Sequence, residues 1–71
     1  MNVNITSAVA KAKQFLTEQA GLSVFFLTLD KVEQKDDKWT VAFEYGLVSP
    51  APKYEVDIDA NGEIVAYRHI V

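Results

Sequence analysis

The hydrophobic and polar positions of this chain follow two different patterns, with a boundary at Gly21. From Thr6 to Ala20, apolar side chains recur at three- and four-residue spacing, which is typical of a helix with one buried face. These positions are Ala8, Val9, Ala12, Phe15, Leu16 and Ala20. We therefore predict a helix over residues 6–20, capped by Thr6 or Ser7 and ended by Gly21 in the left-handed region.

Beyond Gly21 the pattern predicts strands, because β-branched and aromatic residues dominate and apolar positions alternate with polar ones. The predicted strands cover residues 23–34, with a bulge near Asp30, and residues 38–46, 53–59 and 63–70. A polar turn over Lys35–Lys38 and a stiff, extended loop over Ser49–Pro52 separate them. The predicted fold class is α+β, a single domain with one N-terminal helix packed on a four-stranded antiparallel meander sheet.

The segment DIDANGEIVAYR, which begins at Asp57, matches the first half of a calcium-binding loop. Such a loop needs a bidentate carboxylate at its twelfth position and a helix on each side. Here the twelfth residue is Arg68, and both flanks have the alternation of strands. We predict a hairpin at Asp59–Glu63 and no metal site.

Two turns fit this hairpin, and they differ in strand register. A type I turn followed by a glycine bulge places Ile58 opposite Ile64 and Val56 opposite Ala66, which keeps one face apolar. A two-residue type I′ turn over Asn61 and Gly62 instead places Glu55 opposite Arg68. We favour the first turn, because core burial outweighs one exposed ion pair.

Composition excludes several functional classes. The 71 residues contain no cysteine and carry a net charge of −3, so we expect no disulfide, no thiolate metal site and no nucleic-acid partner. No apolar stretch reaches the length of a membrane span, and the N-terminus lacks the pattern of a secretory signal. We expect a cytoplasmic location, or an extracytoplasmic one if the chain is a trimmed precursor.

The sequence also contains few residues in arrangements suited to catalysis. The single histidine, His69, lies near the C-terminus, and the three glycines are too scattered for a phosphate-binding loop. Four carboxylates fit a solvated sheet face rather than an acid–base pair in a cleft; they are Glu44, Glu55, Asp57 and Asp59. We predict a protein without enzymatic activity, with no catalytic residue, cofactor or metal.

Apolar residues on both faces of the first and last predicted strands suggest contact with a partner. In a two-layer fold one sheet face should meet water, so either the helix continues past Gly21 or something covers the second face. The candidate partner surface consists of Val24, Phe25, Phe26, Ile64, Ala66 and Ile70. We expect the open sheet face or an edge strand to bind a protein partner or a second copy, giving a homodimer in the latter case.

The aromatic residues allow one further reading. Trp39, Phe43, Tyr45 and Tyr54 keep the two-residue period of one sheet face, and we predict that they pack against the helix. The alternative function is a small-ligand carrier, with a pocket between helix and sheet. That pocket would be lined by Phe15, Phe26, Trp39 and Phe43.

The stretch DDKWTVAFEY, a proline-bearing loop and YEVDIDANGEIVAYR together resemble the gas-vesicle protein O family. The matching positions are Trp39, Val41, Glu44, Tyr54, Glu55, Val56, Asp59, Gly62, Glu63, Tyr67 and Arg68. The resemblance implies a non-enzymatic accessory protein of vesicle assembly, although the arginine-rich end typical of that family is replaced here by RHIV. The same outline also resembles PepSY domains, which implies a peptidase-regulating module that usually acts outside the cytoplasm.

Overall fold

One helix lies against a four-stranded antiparallel sheet in a computed structural model that describes residues 4–46 and 51–70. The elements are helix α1 (Ile5–Glu18), a short 3-10 helix (Val24–Phe26), and strands β1 (Leu27–Lys35), β2 (Lys38–Tyr45), β3 (Lys53–Ile58) and β4 (Ile64–Ile70). The strands follow one another in the order β1-β2-β3-β4. This arrangement confirms the predicted α+β meander.

The core lies between α1 and the two central strands. From the helix, Ala8, Ala12 and Leu16 are fully buried, and they form one stripe because they are spaced by four residues. From the sheet, the buried partners are Val41, Phe43, Val56 and Ile58. The small alanine side chains let the helix approach the sheet closely. Trp39 and Tyr54 pack at the rim of this core, as the aromatic alternation predicts.

The helix begins one residue earlier than predicted and has a different cap. The Asn4 side chain accepts a hydrogen bond of 2.8 Å from the Ser7 backbone N–H, which satisfies one of the unpaired donors of the first turn. The prediction that Thr6 or Ser7 caps the helix is therefore wrong, because both residues already lie inside α1.

The helix ends at Glu18, two residues before the predicted boundary. The chain then reverses through Gly21, whose φ of +75° confirms the predicted left-handed exit. The Leu22 N–H donates to the Leu16 carbonyl at 3.0 Å. This bond uses one of the free carbonyls at the helix end and directs the chain back toward the sheet.

The first strand starts later than predicted. Residues Val24–Phe26 form a 3-10 turn, and β1 begins at Leu27. The prediction of a strand from residue 23 is wrong at this end, since three consecutive apolar residues do not distinguish a strand from a turn. The predicted bulge is confirmed, because the register between β1 and β2 shifts between Leu29 and Lys31.

The loop between β1 and β2 lies within the predicted polar turn and has two residues, because β1 extends one residue beyond its predicted end, to Lys35. Lys35 pairs with Lys38, and Asp36 and Asp37 have φ values of 51° and 64°. Positive φ at both central positions defines a type I′ turn, which suits the twist of a hairpin. Of the predicted extended loop Ser49–Pro52, residues 49–50 lie outside the described part, while Ala51–Pro52 lead directly into β3.

The loop between β3 and β4 is the favoured type I turn with a glycine bulge. The Gly62 N–H donates to the Asp59 carbonyl at 3.0 Å, and Gly62 alone among the loop residues has a positive φ, of 85°. Ile58 pairs with Ile64, as this turn requires.

A second bulge follows at once and changes the register of the rest of β4. Val65 has no partner in the ladder, and beyond it Asp57 pairs with Ala66 and Glu55 pairs with Arg68. The prediction that Val56 faces Ala66 is therefore wrong. The loop is thus the predicted type I turn with a glycine bulge, whereas the Glu55–Arg68 pairing is the one predicted for the two-residue type I′ turn. The two occur together because Val65, the extra residue in β4, shifts the register by one position.

Candidate interaction surface

The most exposed large apolar residue in the described part of the chain, Phe25, lies in the 3-10 turn between α1 and β1. We call Val24, Phe25 and Phe26 the aromatic turn; their side chains expose 46%, 91% and 50% of their surface. An exposed phenylalanine carries on the order of 150–250 Å² of apolar area. Phe25 is therefore the largest uncovered apolar group in the described part of the chain.

The aromatic turn is held in place by the end of β2. The Ser23 N–H donates to the Tyr45 hydroxyl at 2.9 Å, and the Gly46 N–H donates to the Phe26 carbonyl at 2.9 Å. The Phe26 and Tyr45 rings meet edge to face, with centroids 5.9 Å apart. Phe25 is thus presented at the tip of a turn fixed on both sides.

Next to the turn, an apolar groove runs between α1 and the free edge of the sheet. Its volume is about 620 Å³, within the range of small-ligand sites. It is lined by Ile5, Thr6, Val9, Ala10, Lys13, Gln14, Thr17, Val24 and Leu29. Lys13 is the only charged residue among these nine, so the groove is an apolar surface with a cationic rim.

The sheet face opposite the helix has a different character, because an arginine ties its carboxylates together. Arg68 donates from Nη1 and Nη2 to both carboxylate oxygens of Asp57, at 3.0 and 2.9 Å, and from Nε to Glu55 at 3.1 Å. The Thr40 hydroxyl donates to Asp57 at 2.8 Å. These hydrogen bonds, those from Arg68 above all, hold the pKa of Asp57 below its usual range.

The rest of this face is also ion-paired. Lys53 lies 3.6 Å from Asp30 and 3.9 Å from Glu44. On β1, the ammonium group of Lys31 contacts the carboxylate of Glu33, which raises the pKa of the lysine and lowers that of the glutamate. Three of the four carboxylates predicted to lie on a solvated sheet face therefore do so in ion pairs: Glu44, Glu55 and Asp57. The fourth, Asp59, lies in the β3–β4 turn.

That fourth residue, Asp59, closes the hairpin. Its Oδ1 accepts from the backbone N–H groups of Asn61 and Glu63, both at 2.9 Å. This local pattern is how aspartate stabilises turns. The hairpin interpretation of the calcium-like segment is confirmed, and the described residues contain no group of three or more His, Cys, Asp or Glu side chains arranged for a metal ion.

His69 takes part in aromatic packing. Its ring stacks on Tyr54 with centroids 4.5 Å apart and planes at 8°. Tyr54 in turn meets Tyr45 edge to face at 6.2 Å. Among the described residues, no carboxylate forms a hydrogen bond or ion pair with this imidazole, so they do not form a triad of nucleophile, base and orienting group around it.

The six residues predicted as a partner surface do not share one face. Val24, Phe25 and Phe26 form the aromatic turn, while Ile64 packs half-buried against the core under the helix. Ala66 and Ile70 lie on the opposite, polar face, because they alternate with Tyr67, whose ring contacts Phe15 of the helix at 5.3 Å. The Val65 bulge puts Ile64 on the opposite face from Ala66 and Ile70, while Val24, Phe25 and Phe26 lie outside the strands in the 3-10 turn.

The predicted carrier pocket is likewise distributed over several places. Phe43 is fully buried, Phe15 contacts Tyr67, and Phe26 contacts Tyr45. None of the four predicted lining residues borders the apolar groove. Sequence reasoning missed two groove residues, Ile5 and Leu29, which are 53% and 48% exposed; Ile5 lay just outside the predicted helix.

Comparison with protein-family models, with curated proteins and with solved structures returned no match. In the described part of the chain, the helices lack the length and apolar character needed to cross a bilayer.

Proposed function

We propose that this chain is a non-enzymatic protein-interaction module whose contact surface is the aromatic turn. The observation that carries the proposal is the 91% exposure of Phe25 on a turn fixed by hydrogen bonds from both sides. Burying one such side chain contributes about 1.5–3 kcal/mol to binding. A fixed turn also loses little conformational entropy when a partner covers it.

The geometry matches what interfaces need at their centre. Binding energy concentrates in a few aromatic or arginine anchors surrounded by weaker contacts. Here Phe25 is the anchor, and Val24 and Phe26, each about half exposed, extend the apolar contact on either side. The partner that fits is a protein with an apolar pocket large enough for a phenylalanine ring.

The absence of enzymatic activity is part of the proposal and is supported by the state of the carboxylates. Arg68 binds both Asp57 and Glu55. At Asp57 these hydrogen bonds lower the pKa of the carboxyl group, the opposite of the raised pKa that a general acid needs. His69 is engaged in stacking on Tyr54.

Site-specific photo-crosslinking tests this function. A photoreactive benzoyl-phenylalanine replaces Phe25, and the chain is irradiated in cells of its source organism. We expect one discrete covalent adduct. Excess unmodified chain should suppress this adduct, whereas excess Phe25→Ser chain should suppress it at least about tenfold less well.

The matched control carries the same photoreactive group at Lys35, which is exposed at the far end of β1, and should give no adduct of that mass. The proposal is wrong if position 25 gives no discrete adduct, or if Phe25→Ser competes as well as the unmodified chain. Folding of each variant is checked by circular dichroism. The partner's identity then separates an accessory role in gas-vesicle assembly from a PepSY-like role with a peptidase.

The apolar groove supports a second candidate, a small-ligand carrier. Its lining by Ile5, Val9 and Leu29 with Lys13 at the rim suits an anionic amphiphile. Titration with a fluorescent fatty acid tests it. Saturable one-to-one binding weakened by Val9→Asp, with the molecular mass unchanged, supports the carrier, and linear non-saturable uptake contradicts it.

A further inference from the structure

Strand β1 is an edge of the sheet with a regular free side. In the described part of the chain it pairs with β2 alone. The type I′ turn makes Lys35 and Lys38 a hydrogen-bonded pair. Along an antiparallel ladder, hydrogen-bonded pairs alternate with pairs that are not hydrogen-bonded to each other. The backbone groups of Val32 and Gln34 consequently point away from β2 and are available to a further strand.

The side chains along this edge are arranged in a self-complementary order. Lys31, Glu33 and Lys35 alternate in charge on the polar face, while Val32 faces the helix side. We propose that two copies pair in antiparallel fashion along β1, centred on Val32, and form a continuous eight-stranded sheet. In this register Lys31 of each copy lies opposite Glu33 of the second copy, and the two Val32 residues exchange backbone hydrogen bonds.

The same symmetry covers the apolar groove. A two-fold axis between antiparallel strands stands perpendicular to the sheet, so both helices lie on the same face. The groove opens beside β1, and each copy therefore turns its groove toward the other. Ile5, Val24 and Leu29, about half exposed in one chain, lose water on pairing.

Two features could argue against pairing at an edge, but neither blocks this register. Bulges and lysines commonly protect free edges; here the bulge at Asp30 lies outside the central Val32 pair, and each lysine alternates with a glutamate. At the other edge, the unpartnered Val65 interrupts the ladder of β4. On β1, Lys31 and Glu33 contact each other within one chain, and in the dimer each exchanges this contact for one across the axis. A standard interface buries about 800 Å² per partner. A dimer of that size would therefore cover roughly one sixth of the 4769 Å² that one chain exposes.

This inference builds on the proposed interaction role but uses a different surface. Val24 lines the groove and is covered in the dimer, but Phe25 does not line it, so the anchor residue of the aromatic turn stays available. Phe25→Ser should leave the dimer intact, and loss of the dimer should leave the adduct at position 25. The two proposals can therefore fail separately.

Charge reversal across the two-fold axis provides the test, with sedimentation velocity as the readout. The wild-type chain should shift from its mass of 7.9 kDa toward twice that mass as concentration rises. K31E places four carboxylates at the centre of the pair, and E33K places four ammonium groups there. Each should weaken self-association at least about tenfold.

Mixing the two variants makes the test specific for contact between chains. K31E with E33K restores every cross-strand pair, so a one-to-one mixture should form a heterodimer with a Kd within about threefold of the wild-type value. Native mass spectrometry with one partner labelled with ¹⁵N detects it. The swapped K31E/E33K double variant should again form a homodimer. As a control, K11E mixed with E18K, which reverses two charges on the helix, should self-associate as the wild-type chain does.

A wild-type chain that remains monomeric up to about 1 mM would overturn the inference, since even weak specific interfaces associate at such concentrations. So would a mixture that associates no better than its separate components. Circular dichroism on each variant excludes unfolding as the reason for monomers.

Discussion

Removing the arginine from the polar sheet face should reduce stability measurably. In Arg68→Met the side chain keeps a flexible apolar stem but loses three charge-assisted hydrogen bonds to Asp57 and Glu55. Hydrogen bonds to charged groups contribute about 1.5–3 kcal/mol, and exposed ion pairs only about 0.2–1 kcal/mol. Arg68 is 45% exposed, whereas its two partners are 23% and 19% exposed.

We therefore expect an intermediate loss of about 1.5 kcal/mol in the free energy of unfolding. A domain of this size has a total stability of roughly 4–11 kcal/mol. The melting temperature should fall by about 6–12 °C, because each kcal/mol corresponds to some 4–8 °C in small domains.

The pH dependence of this loss distinguishes the ion pair from simple packing. Arg68 lowers the folded-state pKa of Asp57 below the usual value. The stabilisation is then present above the unfolded-state pKa, about 4, and disappears as the pH falls through the lowered folded-state pKa. The difference in unfolding free energy between wild type and Arg68→Met should be full at pH 7 and smaller at pH 2, because protonation of Asp57 removes the ion pair.

Urea unfolding followed by Trp39 fluorescence at both pH values is the assay. Lys53→Met is the matched control, because Lys53 is similarly exposed but lies 3.6–3.9 Å from its partners; its loss should stay below about 0.5 kcal/mol. Equal losses for Arg68→Met at pH 7 and pH 2 would show that packing, not charge, explains the effect.

Three further predictions concern the fold. Asp36→Asn with Asp37→Gly should stabilise the domain by about 0.5–1 kcal/mol in urea unfolding, because asparagine and glycine suit a type I′ turn better; a loss would contradict that turn assignment. Leu16→Ala, at a fully buried position, should cost about 3–5 kcal/mol and leave the chain partly unfolded by circular dichroism; a cost below about 1 kcal/mol would place Leu16 outside the core. Deleting Val65 should keep the domain folded within about 1 kcal/mol, since every pair on either side of the bulge keeps its face, whereas deleting Thr40 from the regular ladder should unfold it; equal outcomes in thermal melts would refute the bulge.

Periodicity was sufficient for most of the fold, because the helix and the central strands each bury a single face. Leu16, Val41 and Phe43 occupy the positions that three-and-four or two-residue spacing assigns to the core. The predictions that were wrong concern segments in which the apolar residues show no period. The run Val24–Phe26 is apolar without alternation, and a hydrogen bond from Ser23 to the distant Tyr45 turns it into a 3-10 helix.

The interaction surface could be predicted only in part for the same kind of reason. Phe25 was recognisable as an apolar residue in excess of what one sheet face needs. The positions of Ile64 and Ala66 depended on one unpaired residue, Val65, which places them on opposite sides of the sheet. A single bulge of this kind leaves no mark in the sequence, because the residue at its centre is an ordinary strand former.

The residues that carry the resemblance to gas-vesicle protein O include several with clear structural tasks here. Glu55 pairs with Arg68, Asp59 caps the β3–β4 turn, and Gly62 supplies its positive φ. A motif made of such residues encodes a hairpin, and unrelated chains with the same hairpin need the same residues. The photo-crosslinking partner, rather than the motif, therefore decides the biological role.

The order of the strands has a consequence for how the chain folds. Each strand lies beside its neighbour in sequence, and two of the three hairpins are closed by tight turns, so most native pairings require only short loops to close. Loop closure costs little entropy at such separations, and folding rates rise as contacting residues come closer along the chain. We expect folding within milliseconds, with the two tightly closed hairpins forming before the helix docks across them.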